Sequence, residues 1–95
     1  MPKRRSLHRS PVRGIGGEPC YWCGRPMLPT GTLVSDGRSH LLAATREHLI
    51  PRGLGGSNHF TNLVLACYEC NTNRGLMSEP EFREFLKTYT FKKVP

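Results

Sequence analysis

The sequence predicts a small α+β domain: two short strands and a helix stapled by a four-cysteine zinc site, plus a C-terminal helix. Three observations predict it. The cysteines form two close pairs, Cys20-x2-Cys23 and Cys67-x2-Cys70, separated by a long insert, which is the spacing of a tetrahedral structural zinc site. An alternating run over 41–50 and an apolar run over 63–66 bracket a glycine-rich loop, and helical spacing follows. Ser78-Glu79-Pro80-Glu81 then opens a second helical pattern.

Scale and charge narrow the classes. A chain of 95 residues, 37% of them hydrophobic, makes one domain with a core small enough to need a staple. The formal net charge of +7 favours a polyanionic partner, and nucleic acid is the commonest one. Two disulfides in a secreted mini-protein are the alternative reading of the cysteines. No apolar signal segment follows Met1 and no run is long enough to span a membrane, so a reducing compartment, the cytoplasm of a bacterial host, is expected instead. The chain divides into a basic arm over 1–17, a single domain over 18–90 and a basic tail over 91–95.

The arm carries Lys3, Arg4, Arg5, Arg9 and Arg13 with no acid, and too few apolar residues to order itself. It suits phosphate neutralisation. In the first cysteine pair, Gly24 directly after Cys23 fits the tight turn of a zinc knuckle, and Tyr21 and Trp22 are expected to pack. Thr32-Leu33-Val34 reads as a short strand, and Asp36-Gly37 as a hairpin signal. His40 is expected at or near the surface, since four thiolates already complete a tetrahedron.

The run over 41–50 reads as a strand, with Leu42, Ala44, Arg46 and His48 on one face, ended by Pro51. Strict alternation sends Glu47 and His48 to opposite faces, so a bend or bulge near them is needed for a shared site. Residues 52–60 form a loop in which Gly55-Gly56 gives backbone freedom and room for close approach of a phosphate backbone; His59 belongs to its surface. Leu63-Val64-Leu65-Ala66 reads as a buried strand. A helix then starts at Cys67 or Tyr68 and ends near Gly75, placing Cys67, Cys70, Asn71 and Arg74 on one side. Cys70 and Asn71 are still about 100° apart, so one can face zinc and the other a groove. In the last helix Ser78 caps, Glu81 closes the box, and Phe82, Phe85, Leu86 and Tyr89 make an apolar stripe.

Hydrolysis of a phosphodiester needs a base to activate water and a cation to offset developing charge. Histidine suits the first role near neutral pH, and carboxylate and amide oxygens suit a hard divalent cation. Glu47, His48 and Asn71 supply these groups. Arg46, Arg52 and Arg74 flank the stretch and are candidates for phosphate contact.

The stretch from Glu47 to Asn71 resembles the HNH nuclease motif, the ββα-metal (His-Me) finger. An acid-His pair (Glu47-His48) leads into a Pro/Gly-Gly loop (51–56). Asn62, an apolar strand (63–66) and Cys67-x2-Cys70-Asn71 follow. The resemblance covers roughly residues 20–76, and the paired cysteines match its zinc-bound branch. It implies that His48 is the general base and that Glu47 and Asn71 hold one catalytic magnesium or manganese ion. Asn62 would tie down the loop and help orient the histidine, and Cys20, Cys23, Cys67 and Cys70 would bind structural zinc. The implied substrate is double-stranded DNA, cut to 5′-phosphate and 3′-hydroxyl ends, and phage packaging or restriction proteins are the implied partners. A non-catalytic zinc ribbon that only binds nucleic acid is the competing reading. Glu47 stands where Asp or His is usual and is one methylene longer.

Overall fold

The structure, a computed structural model, describes residues 13–94. Strand β1 (Ala44–His48) pairs antiparallel with β2 (Leu63–Cys67), and helix α1 (Tyr68–Arg74) follows β2 directly. Helix α2 (Glu79–Leu86) closes the domain. The result is a small α+β unit in which a two-stranded antiparallel sheet and two helices surround the cysteines.

β1 is shorter than the alternating run suggests. Ahead of it, His40 Nδ1 accepts from the Leu42 N–H and the Ala43 N–H donates to the His40 carbonyl, so 40–43 form a turn. The pairing runs without interruption from Ala44↔Cys67 to His48↔Leu63, so β1 contains no bulge. Its buried residues are Ala44 and Glu47, which do not follow simple alternation. Each is covered from its own side: Gly14 packs on Ala44, and α1 lies over the Thr45 and Glu47 side, while Arg46 stays exposed. β2 is buried only at Ala66 and Cys67; Leu63 to Leu65 are half-buried, because a two-stranded sheet covers its far end incompletely. Thr32 to His40 close a small hairpin through one bridge, Leu33↔Ser39, as the Asp36-Gly37 signal predicts.

The core is a compact knot. Cys20, Cys67 and Cys70 sit among Trp22, Met27, Ala44, Ala66 and Phe82. Phe82 meets Trp22 edge-on, at 5.1 Å between centroids, and stacks on Phe85. The aromatic series continues through Tyr89 to Phe91. The expected cap is present: Ser78 Oγ accepts from the Glu81 N–H and Glu81 Oε1 accepts from the Ser78 N–H. A Ser78→Ala substitution is expected to cost about 1 kcal/mol, read as a small shift of the denaturant midpoint at constant slope.

Residues flanking the core are tied in at both ends. The first twelve residues of the basic arm lie outside the described residues. Gly14 to Gly17 are tied in: the Gly14 N–H donates to Thr30 Oγ1, and Glu18 accepts from the Ile15 and Gly16 N–H groups. At the other end, Phe91 packs against the core and the Lys92 N–H donates to Glu69. Among the described residues, no helix is long and apolar enough to cross a membrane.

Candidate active site and metal centre

The cysteine cluster ties the start of α1 to the first cysteine pair. The sulfurs of Cys20, Cys23, Cys67 and Cys70 all lie within 4.8 Å of one another. Tetrahedral zinc with bonds of about 2.3 Å separates its sulfurs by about 3.8 Å, and Cys23 and Cys67 Sγ lie 4.0 Å apart. Backbone N–H groups of Trp22, Cys23, Cys67 and Cys70 point at the sulfurs. Gly24, at φ 78°, makes the knuckle turn. The donors fit a dication: four thiols this close cannot all ionise alone, so the Cys20 thiol is driven down by accepting from Cys67 and Cys70, and those two are driven up. His40 stands outside the cluster.

Two residues around the cluster were not singled out from the sequence. Arg25 donates to Cys23 Sγ at 3.2 Å and Cys67 Sγ at 3.5 Å, and pairs with Glu69 at 3.2 Å. Such a guanidinium offsets the formal charge of about −2 on a dication held by four thiolates. Glu69, almost fully buried, also accepts from Tyr89 Oη and the Lys92 N–H. Burial acts to raise its pKa, but these donors outweigh it and hold the carboxyl below its ordinary value. The available signals were a basic residue two after Cys23 and an acid inside the second cysteine pair.

β2 turns at Cys67 into α1, which runs back along β1 and brings Asn71 and Arg74 onto the strand. Asn71 Nδ2 donates to Thr45 Oγ1 at 3.0 Å and to the Arg46 carbonyl at 3.3 Å. With its nitrogen engaged on the strand, the amide presents Oδ1, which has no hydrogen-bond partner among the described residues. At the end of β1, half-buried His48 points Nε2 at Asn58 Oδ1, 2.8 Å away.

Asn62 closes the mouth of the loop between the strands. Its Oδ1 accepts from the Ile50 N–H, and its Nδ2 donates to the carbonyls of Ile50 and Ser57. Gly56 is fixed by the same closure, since a Cβ there would lie 1.6 Å from the Ile50 carbonyl oxygen. This glycine therefore serves packing within the loop, where the sequence suggested room for phosphate. His59 caps the short 3₁₀ turn Phe60–Asn62.

The Glu47 and His48 side chains have no partner in common among the described residues, although Arg74 Nη1 donates to both the Glu47 carboxylate and the His48 backbone carbonyl. Glu47 Oε2 accepts from Trp22 Nε1 at 3.0 Å and from Arg74 Nη1 at 3.2 Å. Burial pushes its carboxyl up, against the pull of Arg74 and Trp22. Oε1 has no hydrogen-bond partner among the described residues. With no bulge in β1, Glu47 and His48 do diverge, as strict alternation requires.

Arg74, expected to flank the site as a candidate for phosphate contact, is instead 1% exposed. Its guanidinium donates to the carbonyls of Met77, His48 and Leu49 and to Glu47, and lies 4.8 Å from the centre of the Trp22 ring. No donor is left facing solvent for a phosphate. Arg46 and Arg52 are exposed. An open groove of about 770 Å³, lined by Asp36, Arg38, Tyr68 and Lys92 among others, lies at the opposite end of the strands from His48.

A protein-family model described as HNH endonuclease matches residues 38–87, just over half of the chain. Comparisons with curated proteins and with solved structures return no match.

Proposed function

Because the chain belongs to the HNH endonuclease family, we propose that it is a metal-dependent endonuclease that hydrolyses phosphodiester bonds of double-stranded DNA, with His48 as general base. The observation that supports this most is that two of the candidate residues, one on α1 and one at the end of β1, each keep an unspent acceptor. Asn71 offers Oδ1 after anchoring its nitrogen on β1, and His48 offers Nδ1 after turning Nε2 toward Asn58. An amide oxygen and the free carboxylate oxygen of Glu47 suit a hard divalent cation, magnesium or manganese, which supplies charge stabilisation at the phosphate and leaving oxygen. His48 Nδ1 takes the proton from the attacking water, and Asn62 keeps the loop closed while it does so. Arg46 and Arg52 hold the DNA backbone from the exposed rim. Cys20, Cys23, Cys67 and Cys70 bind zinc structurally, since four thiolates leave no open position.

One observation favours the runner-up, a zinc module that binds nucleic acid without cutting it: the Glu47 carboxylate is already held by Arg74 and Trp22. Plasmid nicking with added magnesium or manganese separates the two. His48→Ala is expected to lower the rate by about 100-fold or more, with zinc content and melting temperature unchanged. Undiminished nicking by the variant rejects His48 as the base, and an inert wild type favours the binding module.

A further inference from the structure

We infer that Asn58 is the positioning residue of the site: its side-chain oxygen fixes His48 in the Nε2–H tautomer and so makes Nδ1 the atom that accepts the proton. The inference rests on the nuclease reading and names a part that reading lacks. A neutral imidazole carries one N–H and one lone pair, and the partner of one nitrogen decides the role of the other. Asn58 Oδ1 lies 2.8 Å from Nε2, and an amide oxygen only accepts. Nε2 therefore holds the proton, and Nδ1 has no competing partner among the described residues.

Asn58 is itself held in place. The carbonyl of the preceding residue, Ser57, accepts from Asn62 Nδ2 at 2.8 Å, and Asn62 also holds both polar backbone atoms of Ile50. On the other side, the His59 N–H donates to Ser57 Oγ, and His59 Nδ1 accepts from Thr61. His48 is meanwhile anchored through its carbonyl by Arg74 at 2.7 Å. His48 is thus held at its ring by Asn58 and at its backbone by Arg74, and Asn62 reaches the ring through Ser57 and Asn58 without touching it. A rotated amide, with Nδ2 toward the ring, would put the proton on Nδ1 and remove the base. The two orientations predict opposite results for a substitution that can only accept.

The test compares full-length wild type with Asn58→Asp and Asn58→Ala. Nitrogen-15 NMR of the imidazole at about pH 8, where an ordinary histidine is neutral, reads the tautomer without any cleavage. The expected spectrum shows a protonated Nε2 and a bare Nδ1 in wild type and in Asn58→Asp, and mixed tautomers in Asn58→Ala. Kinetically, Asn58→Ala is expected to lose about 10- to 100-fold in kcat with KM for DNA unchanged, and Asn58→Asp to recover most of it. An Nδ1–H or averaged tautomer in wild type overturns the inference, as does full kcat in Asn58→Ala or failure of Asn58→Asp to recover activity. A wild type that is Nε2–H yet cleaves nothing upholds the tautomer assignment and defeats the nuclease reading instead.

Discussion

Replacing Cys67 with serine is expected to abolish the cooperative fold. Cys67 is fully buried, caps α1 by accepting the Cys70 N–H, and takes a hydrogen bond from Arg25. Three of the four cysteines belong to the core cluster itself, so the hydrophobic centre and the thiolate knot occupy one volume. Binding of structural zinc to small domains is worth about 10–16 kcal/mol near neutral pH, whereas whole domains are stable by only about 5–15 kcal/mol. Losing the cation or one of its ligands therefore removes as much free energy as the fold possesses. The measurement is zinc content together with thermal melting followed by circular dichroism. Wild type is expected to hold one zinc and melt in a single transition; Cys67→Ser, or wild type treated with a strong chelator, is expected to show no transition. A zinc-free Cys67→Ser protein that melts like wild type contradicts the staple.

The parts of this architecture that depend on local chemistry were legible in the sequence. Two cysteine pairs predicted one cluster, because metal-ligand spacing is fixed by coordination geometry. Ser78 and Glu81 predicted their cap, because both partners lie within one helical turn. The short strand Leu63–Cys67 passing straight into a helix followed from an apolar run ending at a cysteine knuckle. What failed to show depends on contacts between distant segments. Nothing near Arg74 in sequence indicates that Glu47 and the carbonyls of His48 and Leu49 will surround it, so a basic residue beside an expected groove reads as a phosphate ligand. The ladder's continuity through Glu47 was also hidden, since a bulge has no composition of its own when no glycine marks it. Likewise Asn58 looked like one more turn residue in a loop already rich in them, and its contact with His48 depends on Asn62 folding that loop back onto β1.

Arg74→Ala is expected to destabilise the domain by about 3–5 kcal/mol, the cost of breaking a buried pair from one side. Arg74 and Glu47 are both withdrawn from water, at 1% and 8% side-chain exposure, so neither is relieved by solvent when its partner goes. The substitution also releases three backbone carbonyls and the contact with Trp22. The cost depends on pH with a definite sign. Burial already pushes the Glu47 carboxyl up, and removing Arg74 takes away the strongest opposing pull. A carboxyl whose folded-state pKa lies above its unfolded value stabilises the fold at low pH, and that contribution fades as pH rises through the folded value. The deficit of Arg74→Ala should therefore be smaller near about pH 5 than near about pH 8, as measured by urea unfolding at both. Adding Glu47→Gln to Arg74→Ala should recover part of the loss at the higher pH, because the amide keeps an oxygen for Trp22 Nε1 and carries no charge to strand. If Arg74→Ala instead loses less than about 1 kcal/mol, as an exposed arginine would, and weakens DNA binding with a reduced salt dependence, the guanidinium belongs to the groove after all.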